Sequence, residues 1–372
     1  MNLRVGETIQ IPSPIDVHMH LREPGGEEKE TIETGTCAAL AGGYQAVFDM
    51  PNNPGRPTWT EARIDEKRAI ADRSAHTGIG FYGGVDLENP AFEEFPGMSR
   101  KAAGLKLYMG HTTGNIKEHD LTVARPVIDE WMRVSRENGV VAPILLHARE
   151  EVGADTAEYI ARHEYPVHWC HIATDSEVIK ATQLTRRYPE FYSGGVTPHH
   201  LTMTQRNADF QQGWNGARMQ PPLGNEHDAE RLLAAYNNSA IQILETDHAP
   251  HTLSDKLKAE TDNPTGDTDS SCTTCFGVSG IEFVLPVMTS LVRRRLTTMD
   301  RVVDSLYDQP IKMLGLRNTR RIGAMALNKK TDLLIEPYVI GEQDATGMSR
   351  NTPYIGWTAG ARVIGVPKIK KE

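Results

Sequence analysis

The amino-acid sequence predicts an α/β chain folded as a (β/α)8 barrel of the TIM type, with a small C-terminal appendage. Three observations lead there. Eight short apolar, β-rich runs alternate with longer stretches of helical composition, the pattern of a parallel sheet built from βαβ units. A count of eight suits a closed barrel better than an open doubly wound sheet, and no G-x-G-x-x-G opens the first helix. A length of 372 residues accommodates one large barrel whose core needs no disulfide framework.

The predicted strands are residues 15–20, 45–50, 78–85, 104–108, 142–147, 166–171, 191–196 and 241–246. Between them, residues 29–40, 61–75, 123–138, 150–162 and 176–187 show a 3.6-residue period or good helix formers. "TDSEV", residues 174–178, reads as a helix start, with an N-cap candidate and acidic residues in the first turn. Residues 252–274, rich in Asp, Thr, Ser and Lys without an apolar period, read as a long loop after the eighth strand. Beyond Gly315 short strand-like pieces such as "TDLLIEP" and "ARVIGVP" take over. The expected organisation is an N-terminal segment over 1–14, a barrel over 15–314 and an appendage over 315–372 packed on the barrel.

Forty basic against 49 acidic residues give a net charge of −9, which argues against nucleic acid or an anionic membrane as partner. Four cysteines are too sparse for a disulfide scaffold. The opening "MNLRVGETIQIPSP" lacks a basic segment followed by an apolar stretch, and no run is long and apolar enough to span a bilayer. These features predict a soluble, cytoplasmic protein.

In a barrel the C-terminal ends of all strands open on one face, where active sites sit. The first predicted strand ends with His18 and His20, the fourth carries Lys106, the fifth ends with His147, the sixth with His171 and the eighth with Asp247. Residues i and i+2 on a strand share a face, so His18 and His20 can hold one metal. Imidazole and carboxylate suit Zn²⁺. A buried lysine ammonium near cations should lose its charge, and the amine can then take up CO₂ as a carbamate able to bridge two ions. Lys106 is therefore either such a bridge or an ordinary lysine at the barrel rim. Each residue alone has a bland explanation: half-buried strand histidines, a loop-capping Asp, a Lys reaching solvent. Their joint order at successive strand ends favours the metal centre.

These motifs resemble the amidohydrolase superfamily and, within it, the dihydroorotases, above all the dihydroorotase domain of the animal multifunctional pyrimidine protein. The stretches that carry the resemblance are "IDVHMHLREPGGEEKETIETGTCAALAGG", "DMPNNPGRPT", "GLKLYMGHTTGN", "LLHAREE", "HWCHIAT", "TPHHLTMT" and "ETDHAPHTLSDK". The resemblance implies that His18 and His20 bind one zinc, that His147 and His171 bind a second, and that carboxylated Lys106 bridges the two. Asp247 would ligate the first ion and shuttle the proton. Arg22, Asn52 and His251 would hold the substrate carboxylate, and Thr112 would belong to a loop closing over the substrate. The implied reaction is reversible hydrolysis of the cyclic amide of L-dihydroorotate to N-carbamoyl-L-aspartate, by a hydroxide that a metal makes available at neutral pH. A homodimer and association with aspartate transcarbamoylase are further family expectations.

Hydantoinases, dihydropyrimidinases and allantoinases share the metal core, and a silent dihydroorotase-like partner of the transcarbamoylase is a reading of another class. Hydantoinase and dihydropyrimidinase rings need no α-carboxylate partner, and allantoinases typically carry Asn where this chain has Arg22; "HLREPG" followed by "MPNN" therefore favours dihydroorotase. Silent relatives usually lose ligands, and this chain keeps all six. Three positions depart from the family pattern. Gly195 stands where the animal domain has a glutamate near an extra metal position, which implies no third ion. Gln220 stands where relatives carry Asn or Arg, and Thr113 replaces a bulkier loop residue. The β-sandwich of many relatives should be absent or reduced to terminal strands. Cys170 is expected to point away from the site that its neighbour His171 faces. His199 and His200 read as structural, and Cys272 with Cys275 as loop thiols.

Overall fold

The computed structural model describes residues 3–110, 118–208, 218–262, 275–316 and 327–366. Its strands are β1 (Thr8–Pro12), β2 (Ile15–Met19), β3 (Ala46–Asp49), β4 (Gly78–Phe81), β5 (Gly83–Gly84), β6 (Leu105–Tyr108), β7 (Ile144–His147), β8 (Val167–Trp169), β9 (Tyr192–Val196), β10 (Ile243–Leu244), β11 (Lys330–Leu334), β12 (Tyr338–Val339), β13 (Thr358–Ala359) and β14 (Arg362–Ile364).

β2, β3 and β4 pair in parallel, and β5 to β10 form a second parallel run in sequence order. The two runs are one barrel. The third barrel strand changes partner at Tyr82, whose N–H donates to Asp49 O at 3.0 Å, while the next N–H, from Gly83, donates to Gly104 O at 3.0 Å. The first and eighth strands meet through the parallel bridge Met19–His248, with His20 N–H donating to His248 O at 2.8 Å.

Two of three apolar clusters divide the side chains of the barrel strands, and a third gathers Met203, Met219, Phe283 and Tyr354 outside them. An inner one holds Ile15, Val17, Phe48, Tyr82, Leu145 and Ile243, and Ile311 and Leu314 join it from the helix Gln309–Leu314. An outer one takes the alternate residues, such as Val47, Leu105, Leu107, Ile144 and Leu146, against the surrounding helices. β2 breaks this alternation. Ile15 and Val17 belong to the inner cluster but Met19 and Leu21 to the outer, and the β2–β3 register shifts between Asp16 and Met19. A β-bulge changes the phase of the strand there. Val17 and His18 both face inward as a result, and His20 follows His18.

The helix at Asp175–Arg187 starts as the sequence predicts: Thr174 accepts from Glu177 N–H and the Glu177 side chain accepts from Thr174 N–H. Two expectations need correction. The eighth strand is confined to Ile243–Leu244 rather than 241–246 because Thr246 N–H is taken by Asp16 Oδ1 at 3.0 Å. The start of the predicted 252–274 loop is the helix Leu253–Asp262. Its N-terminus is capped by Thr252, which accepts from Asp255 N–H at 3.1 Å. Among its described side chains the buried one is Lys256, so no apolar period betrays it.

The N- and C-terminal strands share a small antiparallel sheet, β1–β11–β14, in which Ile9 pairs with Leu333. β12 and β13 form a separate two-stranded ribbon. No helix among the described residues is long and apolar enough to cross a membrane.

Candidate active site

The strand ends bring the predicted residues together. His18, His20, Arg22, Asn52, His147, His171 and Asp247 line one small cavity at the barrel mouth, with Tyr108 and Gln220 in its wall. Three of them hold left-handed backbone, Arg22 at φ +62°, His171 at +37° and Asp247 at +43°. Non-glycine residues rarely adopt this conformation, and it collects at functional sites.

On one side, Asp247 Oδ1 lies 3.1 Å from His20 Nε2 and 3.3 Å from His18 Nε2. On the other, His147 Nδ1 lies 2.9 Å from His171 Nε2. The His18 and His171 rings connect the two sets, 5.2 Å apart. Asn52 Oδ1 lies 2.8 Å from His20 Nδ1 and accepts its proton in the tautomer that leaves Nε2 free toward Asp247. Lys106 is fully buried, with Nζ 3.0 Å from Cys170 Sγ and 5.4 Å from the Tyr108 ring centroid.

Burial pushes the His20 imidazolium down to about 3 and that of His171 well below its usual range, with His147 and Lys106 adding to the second shift. Burial and Lys106 also push His18 down, but Asp247, Glu245 and Cys170 all raise it, and the balance holds it up at about 10. Asp247 is pushed up by burial and pulled down harder by His18 and His20, so it stays below the ordinary carboxylate range. His20 and His171, held neutral, offer imidazole lone pairs, and a divalent ion between His18 and Asp247 would take the place of the His18 proton; with the anionic Asp247 oxygen this is the donor set of a hard-to-borderline divalent ion. His18, His20 and Asp247 already bring one ligand atom each within 4.8 Å of one another. The side chains fit a metal.

Arg22 is buried. It donates from Nε to Pro250 O at 3.2 Å and sets Nη2 3.2 Å from His251 Nε2. His251 stands behind Arg22 rather than in the cavity wall, with its Nε2 also 3.1 Å from Phe276 O. Thr112, Thr113 and Cys272 lie outside the described residues.

Several site residues escape the strand-end rule. Glu245 is fully buried and meets His18 Nδ1 at 3.2 Å and His168 Nε2 at 3.1 Å, and it accepts from His171 N–H. Its signal is a charged residue inside the apolar run "ILETDH". Cys170 does not turn its back on the site; its thiol meets Lys106, because β8 ends at Trp169 and the left-handed turn at His171 breaks the alternation. Burial raises the Cys170 thiol, and Lys106, His18 and His168 together outweigh it, bringing it down to about 6. The corner beside Gly195 is likewise not without a carboxylate, since Glu245 fills it. His200 is held by Thr197 Oγ1 at 2.7 Å and Pro221 O at 3.1 Å. Cys275 is buried, with a ligand atom within 4.8 Å of those of His251 and Asp255.

A parallel barrel with paired imidazoles and a carboxylate at its mouth defines a metal-dependent hydrolase type of site. The sequence profile described as Dihydro-orotase-like matches residues 7–104. The dihydroorotase of Bacillus caldolyticus is 30% identical over 387 residues, covering 95% of this chain and 84% of that protein. The multifunctional protein CAD of Squalus acanthias is 31% identical over 309 residues, 83% of this chain, and the chain spans only 12% of that protein's length. The chain belongs to the dihydroorotase family. Among solved structures, the L-hydantoinase (dihydropyrimidinase) of Arthrobacter aurescens superposes with a TM-score of 0.77 at 18% identity, covering 96% of this chain and 83% of that one, which shows the shared barrel fold.

Proposed function

We propose that this chain is a zinc-dependent dihydroorotase that interconverts L-dihydroorotate and N-carbamoyl-L-aspartate in pyrimidine biosynthesis. The observation that carries this reading is Arg22. It is a buried guanidinium in the wall of the same cavity as the imidazoles, and among the described residues it pairs with no carboxylate. A planar fork of donors without an internal anion suits the carboxylate of an incoming substrate. Hydantoins and dihydropyrimidines offer none there.

In this reading His18, His20 and Asp247 would hold one ion, His147 and His171 would hold a second, and Lys106, once carboxylated, would supply a further ligand. When bound, the metal pair supplies an activated water at neutral pH and polarises the ring carbonyl. Asp247, kept ionised by its histidines, takes the proton of the attacking water and passes it to the departing ring nitrogen. Arg22 binds the substrate carboxylate, and Asn52 keeps the His20 ring oriented. The same proposal has an N-terminal segment over 1–14, a barrel over 15–314 with an appendage over 315–372 packed on it, a homodimer, and contact with aspartate transcarbamoylase.

The test is the ring-opening rate of L-dihydroorotate by zinc-loaded protein, followed by absorbance, with dihydrouracil in parallel. Turnover of dihydroorotate alone is expected. Turnover of dihydrouracil alone would move the chain to hydantoinase chemistry. Metal-loaded protein that turns over neither substrate, yet co-purifies with the transcarbamoylase, would make it a silent partner.

A further inference from the structure

Glu245 carries no part in the reaction as proposed, yet both of its carboxylate oxygens are engaged at the barrel mouth. Oε2 faces His18 Nδ1 at 3.2 Å and His168 Nε2 at 3.1 Å, and Oε1 accepts the backbone N–H of His171. His168 is itself held from the far side by Ser193 Oγ, 2.9 Å from its Nδ1. The carboxylate thus ties β2, the end of β8 and, through His168, β9. Its place exists because residue 195 has no side chain. A Cβ on Gly195 would sit 2.4 Å from Glu245 Oε1 and 2.9 Å from His168 Nε2. Gly195 shows no left-handed backbone, so space rather than conformation is what the glycine provides.

We propose that Glu245, reaching from the eighth strand into the space left by Gly195, is the positioning residue of the metal-binding histidines. The inference rests on the functional reading above. By accepting from His18 Nδ1–H it fixes the tautomer in which Nε2 presents its lone pair beside Asp247. By accepting from His171 N–H it holds the left-handed turn that aims the His171 ring at His147. One carboxylate thereby orients a ligand of each ion. Carboxylates behind ligating imidazoles set ring orientation and raise ligand basicity, and their loss costs roughly 10- to 100-fold in metal affinity.

The experiment measures Zn²⁺ affinity by chelator competition, metal stoichiometry, and the visible spectrum of the Co²⁺-loaded full chain, for wild type, Glu245→Gln, Gly195→Ala and the double variant Glu245→Ala with Gly195→Glu. None of these readouts involves substrate, so failure of the dihydroorotase reading leaves them intact. Glu245→Gln keeps the shape but turns a donor toward His18, and Gly195→Ala displaces the carboxylate. Both should weaken zinc binding roughly 10- to 100-fold and shift the Co²⁺ spectrum. The double variant supplies a carboxylate to the same space from the neighbouring strand and should restore affinity to within a few-fold of wild type (on the order of 3). Wild-type affinity and spectrum in Glu245→Gln would overturn the proposal. So would the loss of one whole ion with the remaining affinity unchanged, since Glu245 would then be a ligand, together with His18 and Cys170. If Glu245→Gln does not fold, the double variant decides. Folding with restored affinity supports the inference, and folding without it refutes the inference.

Discussion

On one side of the cavity His18 and His20 face Asp247 and Glu245, carboxylates that the chain itself supplies. On the other, Arg22 meets a carbonyl and an imidazole, with Lys256 buried nearby on the helix Leu253–Asp262. The first half is balanced in sign, whereas in the second the Arg22 guanidinium has no carboxylate within hydrogen-bond reach among the described residues. Burying a charge without a partner is costly, so a protein retains such a group where a ligand completes it. In the proposed function the difference separates what would be held permanently, a metal, from what would enter and leave, an anion.

The largest effects should come from the balanced half. Lys106→Ala should lose most activity and at least one metal ion per chain, read by elemental analysis beside turnover; both ions retained with near-normal rates would rule out a lysine bridge. Asp247→Asn should lower kcat by roughly 10²- to 10⁴-fold, the range for a positioned general acid–base. The unbalanced half should respond differently. Arg22→Ala should raise KM for dihydroorotate by about 10- to 150-fold, equivalent to the ~1.5–3 kcal/mol of a charged hydrogen bond, with metal content unchanged. Loss of metal in that variant would show that the halves are not independent.

A pH effect sharpens the contrast. Burial lowers the Lys256 ammonium to about 7 from 10.5. Between these values the unfolded chain binds more protons than the folded one, so stability rises with pH through this window. The slope reaches at most about 1.4 kcal/mol per pH unit. Below pH 7 the cost of burying the ammonium is complete. In urea unfolding, Lys256→Met should lack this slope; parallel pH profiles for the two proteins would refute the assignment. The smallest effect belongs to neither half. Thr174→Ala should cost about 1 kcal/mol of stability through the lost helix cap and leave KM and metal content alone.

Much of this was legible in the sequence, because strands and helices announce themselves by period and histidines are scarce enough to stand out. His18, His20, His147, His171 and Asp247 meet in one cavity, while Lys106 lies outside its lining with Nζ against Cys170 Sγ. The alternation rule reached only as far as regular strand. It could not show that a bulge at Asp16–Met19 makes Val17 and His18 face the same way, nor that the turn at His171 brings Cys170 round to Lys106. The helix after the eighth strand was hidden because its buried contact is a lysine, which donates to Arg218 O at 2.9 Å and to Gly277 O. Glu245 was readable as a charge in a buried run, but its partners lie on other strands, and pairwise spacing along one chain cannot name them.

The seam between the first and eighth barrel strands has a consequence in time. Asp16 closes it by accepting from Thr246, 230 residues further along. At synthesis rates of about 5–20 residues per second, the first strand emerges roughly ten to fifty seconds before its neighbour exists. During that interval one edge of the nascent strand, with His18 and His20 on it, stands open to any chaperone or stray cation in reach. The bridge that completes the hydrogen-bonded ring is also the one that brings Asp247 to the histidines, so the chain finishes its fold and assembles its chemistry in a single act.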